Sequence, residues 1–316
     1  MSPEEIMAQA SARERDPPRR RRRRWLIWGS ILLIVVIIVV VAVVLTQNGD
    51  PEREQMMGQI KSALDKEGVP ANDLNNAGHY QGKAFNWLYE QNANINSMDR
   101  TQALQRFALA CLYFSSNGIS TLYTPSPPSW KSETNWLTDL NECQWKGVQC
   151  TDRMKVDGIA LESNHLTGKI PAELVLLRDH LVTLDFTTNL LYMEEADFYF
   201  LEKLPKLTTI LMDDNYISSD NGIPSFMGHC TQLEMLRLSY NLIGGKLDAT
   251  MFRKLSKLTH LEVESNFLTG GIPTAIGELS NLVYMYMRRN SLKFNLNWLK
   301  SGKMANLCKC SIDGSL

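Results

Sequence analysis

The sequence predicts an α/β solenoid: a curved stack of repeats with a parallel β-sheet on its concave face, preceded by a helical N-terminal cap and a single transmembrane helix. Three observations predict it. A motif of the form L-x-x-L-x-L-x-x-N-x-L recurs six times after residue 155, an uncharged apolar run covers Trp25 to Leu45, and helix-spaced apolar residues lie between the two. The chain has 316 residues, 44% apolar and 21% charged, which is ordinary globular usage.

Residues 1–24 carry eight arginines against four acids, and six of the arginines, Arg19 to Arg24, abut the apolar run. That run, Trp25 to Leu45, holds 21 residues and no ionisable group. At about 1.5 Å per helical residue it reaches roughly 30 Å, the thickness of a bilayer's hydrocarbon core. A cleavable signal would have an apolar region of about 7–15 residues ending in small side chains, so an uncleaved anchor is the expectation. Flanking arginines are retained in the cytosol. The tail 1–24 is therefore expected to be cytosolic, the span 25–45 to cross the membrane, and the repeats to be extracellular or lumenal, with the plasma membrane as destination. A nuclear-localisation or nucleic-acid role for the arginines fits their position poorly, and contact with anionic lipid headgroups fits it well. The formal net charge of −1 gives no case for a nucleic-acid partner.

Residues 46–78 are polar and read as a juxtamembrane spacer of modest order. From 79 to 155 a helical segment leads into a cap. Ala84, Trp87 and Leu88 share one helical face, and Leu104, Phe107, Ala108, Cys111 and Leu112 recur at spacings of three and four. Three prolines in STLYTPSPPSW end any helix, and Trp130, Trp136 and Trp145 follow. Six residues separate Cys143 from Cys150. The spacing alone leaves a redox centre, half of a metal site and a covalent staple all open.

From 156 to 316 the repeats take over, six complete and a partial seventh. They begin at Val156, Leu181, Leu207, Leu233, Leu258 and Leu282, with asparagines at Asn164, Asn189, Asn215, Asn241, Asn266 and Asn290, a period of 24 to 26 residues. Apolar residues at period two within each L-x-x-L-x-L form a short strand, and stacked strands form a parallel sheet. The asparagine amide both donates and accepts, so it can satisfy backbone groups where the chain leaves the strand. A helical bundle is excluded because the i, i+3, i+5 spacing followed by Asn and Gly is no helical stripe. Leu307, Cys310 and Ile312 begin the seventh unit, with Ser315 in the asparagine position. No polar terminal cap follows, so an imperfect self-cap, a truncated product or a covering partner is expected there.

Leu166-Thr-Gly-Lys-Ile-Pro171 and Leu268-Thr-Gly-Gly-Ile-Pro273 resemble the L-T-G-x-I-P signature of plant-type leucine-rich repeats, the extracellular class of receptor-like proteins and receptor-like kinases. Trp136-Leu137 with Cys143, Trp145, Gly147, Val148 and Cys150 resembles that family's N-terminal cap. The resemblance covers about 136–316. The helical stretch before it is similar to a segment of single-pass repeat proteins of microalgae. The resemblance implies that Cys143 and Cys150 are disulfide-bonded, a bond that an oxidising compartment permits. It also implies a membrane-anchored, receptor-like protein without a kinase domain. Packing is the expectation for Cys230 and Cys310, and Cys111 and Cys308 have no assigned partner.

No G-x-S-x-G, phosphate loop, H-E-x-x-H or kinase motif set occurs. The expectation is therefore no enzyme and no cofactor. His260 and the pair Asp213–Asp214 read as solvent-facing strand positions rather than acid/base groups. The outward positions of the repeats are the candidate ligand face: Asp185, Asp213, Asp214, Arg237, Tyr240, Glu262, Glu264, Tyr284, Tyr286, Arg288 and Arg289. Its early and middle repeats are acidic and the last is aromatic and cationic, a composition enriched at interfaces. Two functions compete on this basis. One is recognition of an extracellular peptide, protein or glycan, with a membrane co-receptor to transmit the event. The other is a structural or adhesion link between membrane and wall or matrix.

Overall fold

The computed structural model describes residues 51–90, 98–117, 130–293 and 309–311. The expected cytosolic tail, the span Trp25–Leu45, Cys308 and most of the partial seventh repeat lie outside them. Among the described residues no helix is long and apolar enough to cross a membrane. Residues 1–58 and 59–316 form two compact units. Of the first, only Pro51–Gly58 are described, the opening turns of a helix, α1 (Pro51–Lys66).

The stretch read as a spacer is more ordered than its polar composition suggests. Ile60, Ala63 and Leu64, at spacings of three and four, bury one face of α1, and Val69 and Leu74 are buried in the turns beyond it. Few apolar residues are involved, but they are correctly phased. Two further helices follow, α2 (Tyr80–Glu90) and α3 (Arg100–Ser116). The Asp99 carboxylate caps α3 by accepting from Gln102 N at 2.8 Å. The middle of α3, Gln105 to Leu112, is buried on all faces because α2 packs on one side and the first return leg of the repeats, Ala172–Leu177, on another.

The repeats build an eight-stranded sheet. Val148–Cys150 pairs antiparallel with Val156–Ala160, and every later pairing is parallel: Thr183–Asp185, Thr209–Leu211, Met235–Arg237, His260–Glu262, Tyr284–Tyr286 and Lys309–Ser311. The register puts Ile159, Leu184, Ile210, Leu236, Leu261 and Met285 in one row. All six are buried. At about 1.5–3 kcal/mol per buried aliphatic side chain, this spine is the main source of stability. The expected parallel sheet is therefore present, and the next position in the row, Cys310, continues it at the place expected for the seventh unit.

Two features were not legible. A second parallel sheet joins Ser218–Ser219, Leu242–Lys246, Phe267–Gly271 and Ser291–Lys293, with a separate pair of Thr167–Gly168 and Leu190–Leu191. The chain then returns through short 3₁₀ helices or, at Ala249–Lys254, one α-helical turn and a half. The tight period of 24 to 26 residues leaves no length for a full helix on that side.

Each turn out of the main sheet has the same build. The residue before the ladder asparagine lies in the left-handed region in all six repeats: Ser163, Thr188, Asp214, Tyr240, Ser265 and Arg289, with φ of 54–56°. Such a conformation costs a non-glycine residue about 1 kcal/mol. The asparagine offsets it. Asn241 Nδ2 donates to Met212 O of the preceding repeat at 2.9 Å and to Leu238 O and Ser239 O of its own at 3.1 and 3.2 Å, and its Oδ1 accepts from Ile217 N at 3.0 Å. Asn189, Asn215, Asn266 and Asn290 repeat the pattern. Asn164 instead binds the cap, accepting from Ser132 N at 2.7 Å and donating to Ser132 O at 3.0 Å. The cap thus supplies the backbone of a repeat that precedes the first.

Replacing Asn241 with Ala leaves Ile217 N–H unpaired in the interior and Met212 C=O with only the long bond from Asn215 Nδ2 at 3.4 Å, which is expected to cost about 1–3 kcal/mol in urea unfolding. Ser265→Gly, one residue before the ladder position, relieves the left-handed strain and is expected to stay within about 1 kcal/mol of the parent.

Candidate functional site

The strands are only three residues long, so few of the candidate ligand residues lie within them. Asp185, Arg237, Glu262, Tyr284 and Tyr286 are strand residues and half-buried. Asp214, Tyr240 and Arg289 belong to the left-handed turn column and are exposed. Asp213, Glu264 and Arg288 sit between the two groups. The reading of Asp213 and Asp214 as a solvent-facing strand pair needs correction: both follow the strand, and Asp213 is only 5% exposed. Residues 213 and 214 point to different environments because the backbone turns between them.

Asp213 is buried by an ion cluster. Its Oδ2 lies 2.7 Å from Arg237 Nε, and Glu262 Oε2 lies 3.5 Å from the same nitrogen. Arg237 Nε meets Asp213 Oδ2 off the line of a well-aligned hydrogen bond, so the attraction is chiefly ionic. Asp213 Oδ1 accepts from Ser239 N at 2.7 Å, and Ser239 Oγ accepts from Glu264 N at 3.1 Å. Three neighbouring repeats are tied together through side chains. Desolvation pushes the Asp213 carboxyl up to about 6, against the opposing pull of Arg237 and the Ser239 N–H, with Glu262 adding to the rise. At the far end of the face, the Tyr284 ring stacks on His260 at 4.4 Å, 24° from parallel, and His260 Nδ1 is 2.8 Å from Thr259 Oγ1. Arg288 and Arg289 are exposed beside them. The face therefore brings together a carboxylate-rich centre holding one guanidinium and an aromatic, cationic end.

Other polar groups are structural. Glu142 is fully buried and takes Gln105 Nε2 at 2.9 Å, with Arg106 Nη1 at 3.5 Å. The Arg106 guanidinium lies 5.2 Å from the Trp87 ring and 5.1 Å from Trp145, and donates to Leu140 O and Thr138 O at 2.8 and 2.6 Å. This locks α3 to the cap loop. Burial lowers the Arg106 pKa and raises that of Glu173, whose carboxyl meets Tyr80 Oη at 3.3 Å and Gln81 Nε2 between α2 and the first return leg. Sequence reasoning missed both clusters; the available signal was a charged residue inside an apolar helical run, LQRFALACL.

Cys143 and Cys150 are bonded, with Cα atoms 5.7 Å apart. Cys111 and Cys230 are free and buried, and burial raises both thiols, Cys230 to about 12. Cys310 departs from the expected packing: it occupies the core register opposite Met285 but is exposed, at the outer strand of the sheet among the described residues. Among those residues no group of three or more His, Cys, Asp or Glu is arranged to hold a metal.

A group whose pKa rises on folding stabilises most below its unfolded value and loses that contribution as pH passes its folded value. For Asp213 the window runs from about 4 to about 6. Thermal unfolding of the parent is expected to weaken across it, and Asp213→Asn to flatten that dependence; equal slopes in the two proteins refute the assignment.

Residues 231–292 match the family model described as Leucine rich repeat. Pollen receptor-like kinase 2 of Arabidopsis thaliana is 26% identical over 179 residues, 57% of this chain and 25% of that protein. Receptor-like protein 35 of Arabidopsis thaliana is 29% identical over 160 residues, 51% of this chain and 16% of its own length. The ectodomain of the Arabidopsis thaliana receptor kinase SOBIR1 superposes with a TM-score of 0.47 at 22% identity, covering 62% of this chain and 97% of that one. The chain spans a quarter or less of the length of the curated relatives it matches. The repeat register and the bonded cap cysteines agree with this likeness to leucine-rich repeat receptor-like proteins.

Proposed function

We propose that this chain is a membrane-anchored recognition protein. It binds an extracellular peptide, protein or glycan through the outward face of its main sheet and acts on the cell only through a membrane partner. The observation that carries this reading is the composition of that face. A stack of short strands presents Asp185, Leu211, Arg237, Glu262 and Tyr286 in successive repeats, with Arg288 and Arg289 beyond. Side chains at neighbouring register positions of a β-stack form a continuous, preorganised array, which favours an extended partner over a compact one. An acidic or carboxylate-bearing group suits the Arg288–Arg289 end, and basic groups suit the centre. Receptor-like names among the relatives support recognition over a purely mechanical role.

The 21 uncharged residues of Trp25–Leu45 and the arginines before them support an anchor with the repeats outside the cytosol, and the plasma membrane is the proposed destination.

Protease treatment of sealed microsomes is expected to leave the repeats intact; their digestion with membranes unbroken overturns the topology. Pull-down of the full chain from detergent, with and without an extracellular fraction, is expected to recover a kinase-bearing partner only when that fraction is present. The double substitution Arg288→Ala and Arg289→Ala is expected to cut that recovery at least tenfold. Retention in wall or matrix material regardless of the added fraction indicates the adhesion role instead.

A further inference from the structure

Beside the main sheet a groove of about 390 Å³ runs over the buried ladder asparagines Asn189, Asn215 and Asn241. The residues before the asparagines, Thr188, Asp214 and Tyr240, and those that follow them, Leu190, Tyr216 and Leu242, line it together with His165 from the first repeat. Tyr240 is 50% and Leu242 45% exposed. We infer that this groove is a binding site for an arginine side chain presented by a peptide or protein partner. The inference goes beyond the reading of the main-sheet face and uses none of its strand residues.

The lining selects the chemistry. Two tyrosines and two leucines supply the apolar area of the cleft, His165, Thr188 and the asparagines its neutral polar groups, and the single carboxylate in the lining is Asp214. Aromatic faces carry negative potential, and with Asp214 they repel anions. An aliphatic or aromatic occupant would cover Asp214 without giving it a partner, which is costly for a carboxylate. A cation satisfies both demands. Arginine does so better than lysine, because its plane stacks on a ring while its edge meets a carboxylate through paired N–H donors. Among the described residues no cation is paired with Asp214. The volume lies at the small end of the range for ligand pockets, as suits one side chain rather than a whole ligand.

The wall is also fixed in advance. Thr188, Asp214 and Tyr240 have φ of 54, 55 and 56°, and their amides donate to Asp213 O, Ser239 O and Glu264 O at 2.8–2.9 Å. The backbone beneath the carboxylate and the exposed ring is thus held by the next repeat. Little ordering cost remains for a ligand to meet.

The left-handed backbone supplies clean variants. Asparagine and glycine both tolerate positive φ, so Asp214→Asn removes the charge and Tyr240→Gly removes the ring without forcing the turn to change. The probe is the blocked tripeptide acetyl-Gly-Arg-Gly-amide, titrated calorimetrically into the detergent-solubilised full chain, with its citrulline counterpart as the uncharged isostere. Saturable millimolar binding of the arginine peptide is expected, at least tenfold weaker for citrulline and for Asp214→Asn and at least fivefold weaker for Tyr240→Gly. The unfolding midpoints of both variants should match the parent. Arg288→Ala and Glu264→Gln should bind the peptide as the parent does, which separates this site from the main-sheet face. Equal binding of citrulline, parent-like affinity in Asp214→Asn and Tyr240→Gly, or no saturation in the millimolar range overturns the inference.

Discussion

Backbone hydrogen-bond satisfaction at the exit from each strand is the constraint on which the rest of the fold depends. A three-residue strand cannot turn away from its sheet inside a packed stack without leaving amides and carbonyls unpaired, and each such group costs about 1–3 kcal/mol when buried. One asparagine per repeat answers this by donating both ways and accepting once from the repeat before. The period, the left-handed residue ahead of it and the alignment of the leucine spine all follow from keeping that amide in place. The ladder also explains why the cap is continuous with the repeats: Asn164 finds in Ser132 the same N–H and C=O that later asparagines find in a preceding coil.

Much of this was legible because it is periodic. The leucine and asparagine positions announce strand, turn and register together, and the row from Ile159 to Met285 falls where the motif puts it. What escaped was set by contacts between distant positions. Asp213 occupies an outward column, and only the approach of Arg237 and Glu262 from the next two repeats makes it a buried carboxylate. Glu142 and Arg106 lie 36 residues apart, so no local pattern links them. The order of α1 rests on a handful of phased apolar residues in a stretch whose composition reads as solvated. Cys310 shows the converse error, since a core register position did not ensure burial at the outer strand of the described sheet.

The candidate face combines rigid and adjustable parts. The strand positions are fixed by parallel pairing on both sides, while long side chains such as Arg237 and Arg288 can re-aim over several ångströms. Arg237 is already engaged by two carboxylates, so the centre of the face has a net negative character despite holding a guanidinium. Specificity then arises from what a ligand must avoid as well as from what it meets: an anionic group over the centre faces Asp185, Glu262 and Glu264 together.

The indole cluster of the cap has an optical consequence. Four of the seven tryptophans, Trp87, Trp130, Trp136 and Trp145, stand in one chain of ring contacts with centroids 4.7–5.7 Å apart, while no repeat from Val156 to Lys293 contains any. With Trp25, Trp28 and Trp298 replaced by Phe, indole fluorescence views the cap cluster alone, and circular dichroism views the entire coil. Comparing the two signals during denaturation separates undocking of the cap from melting of the array, with no label introduced.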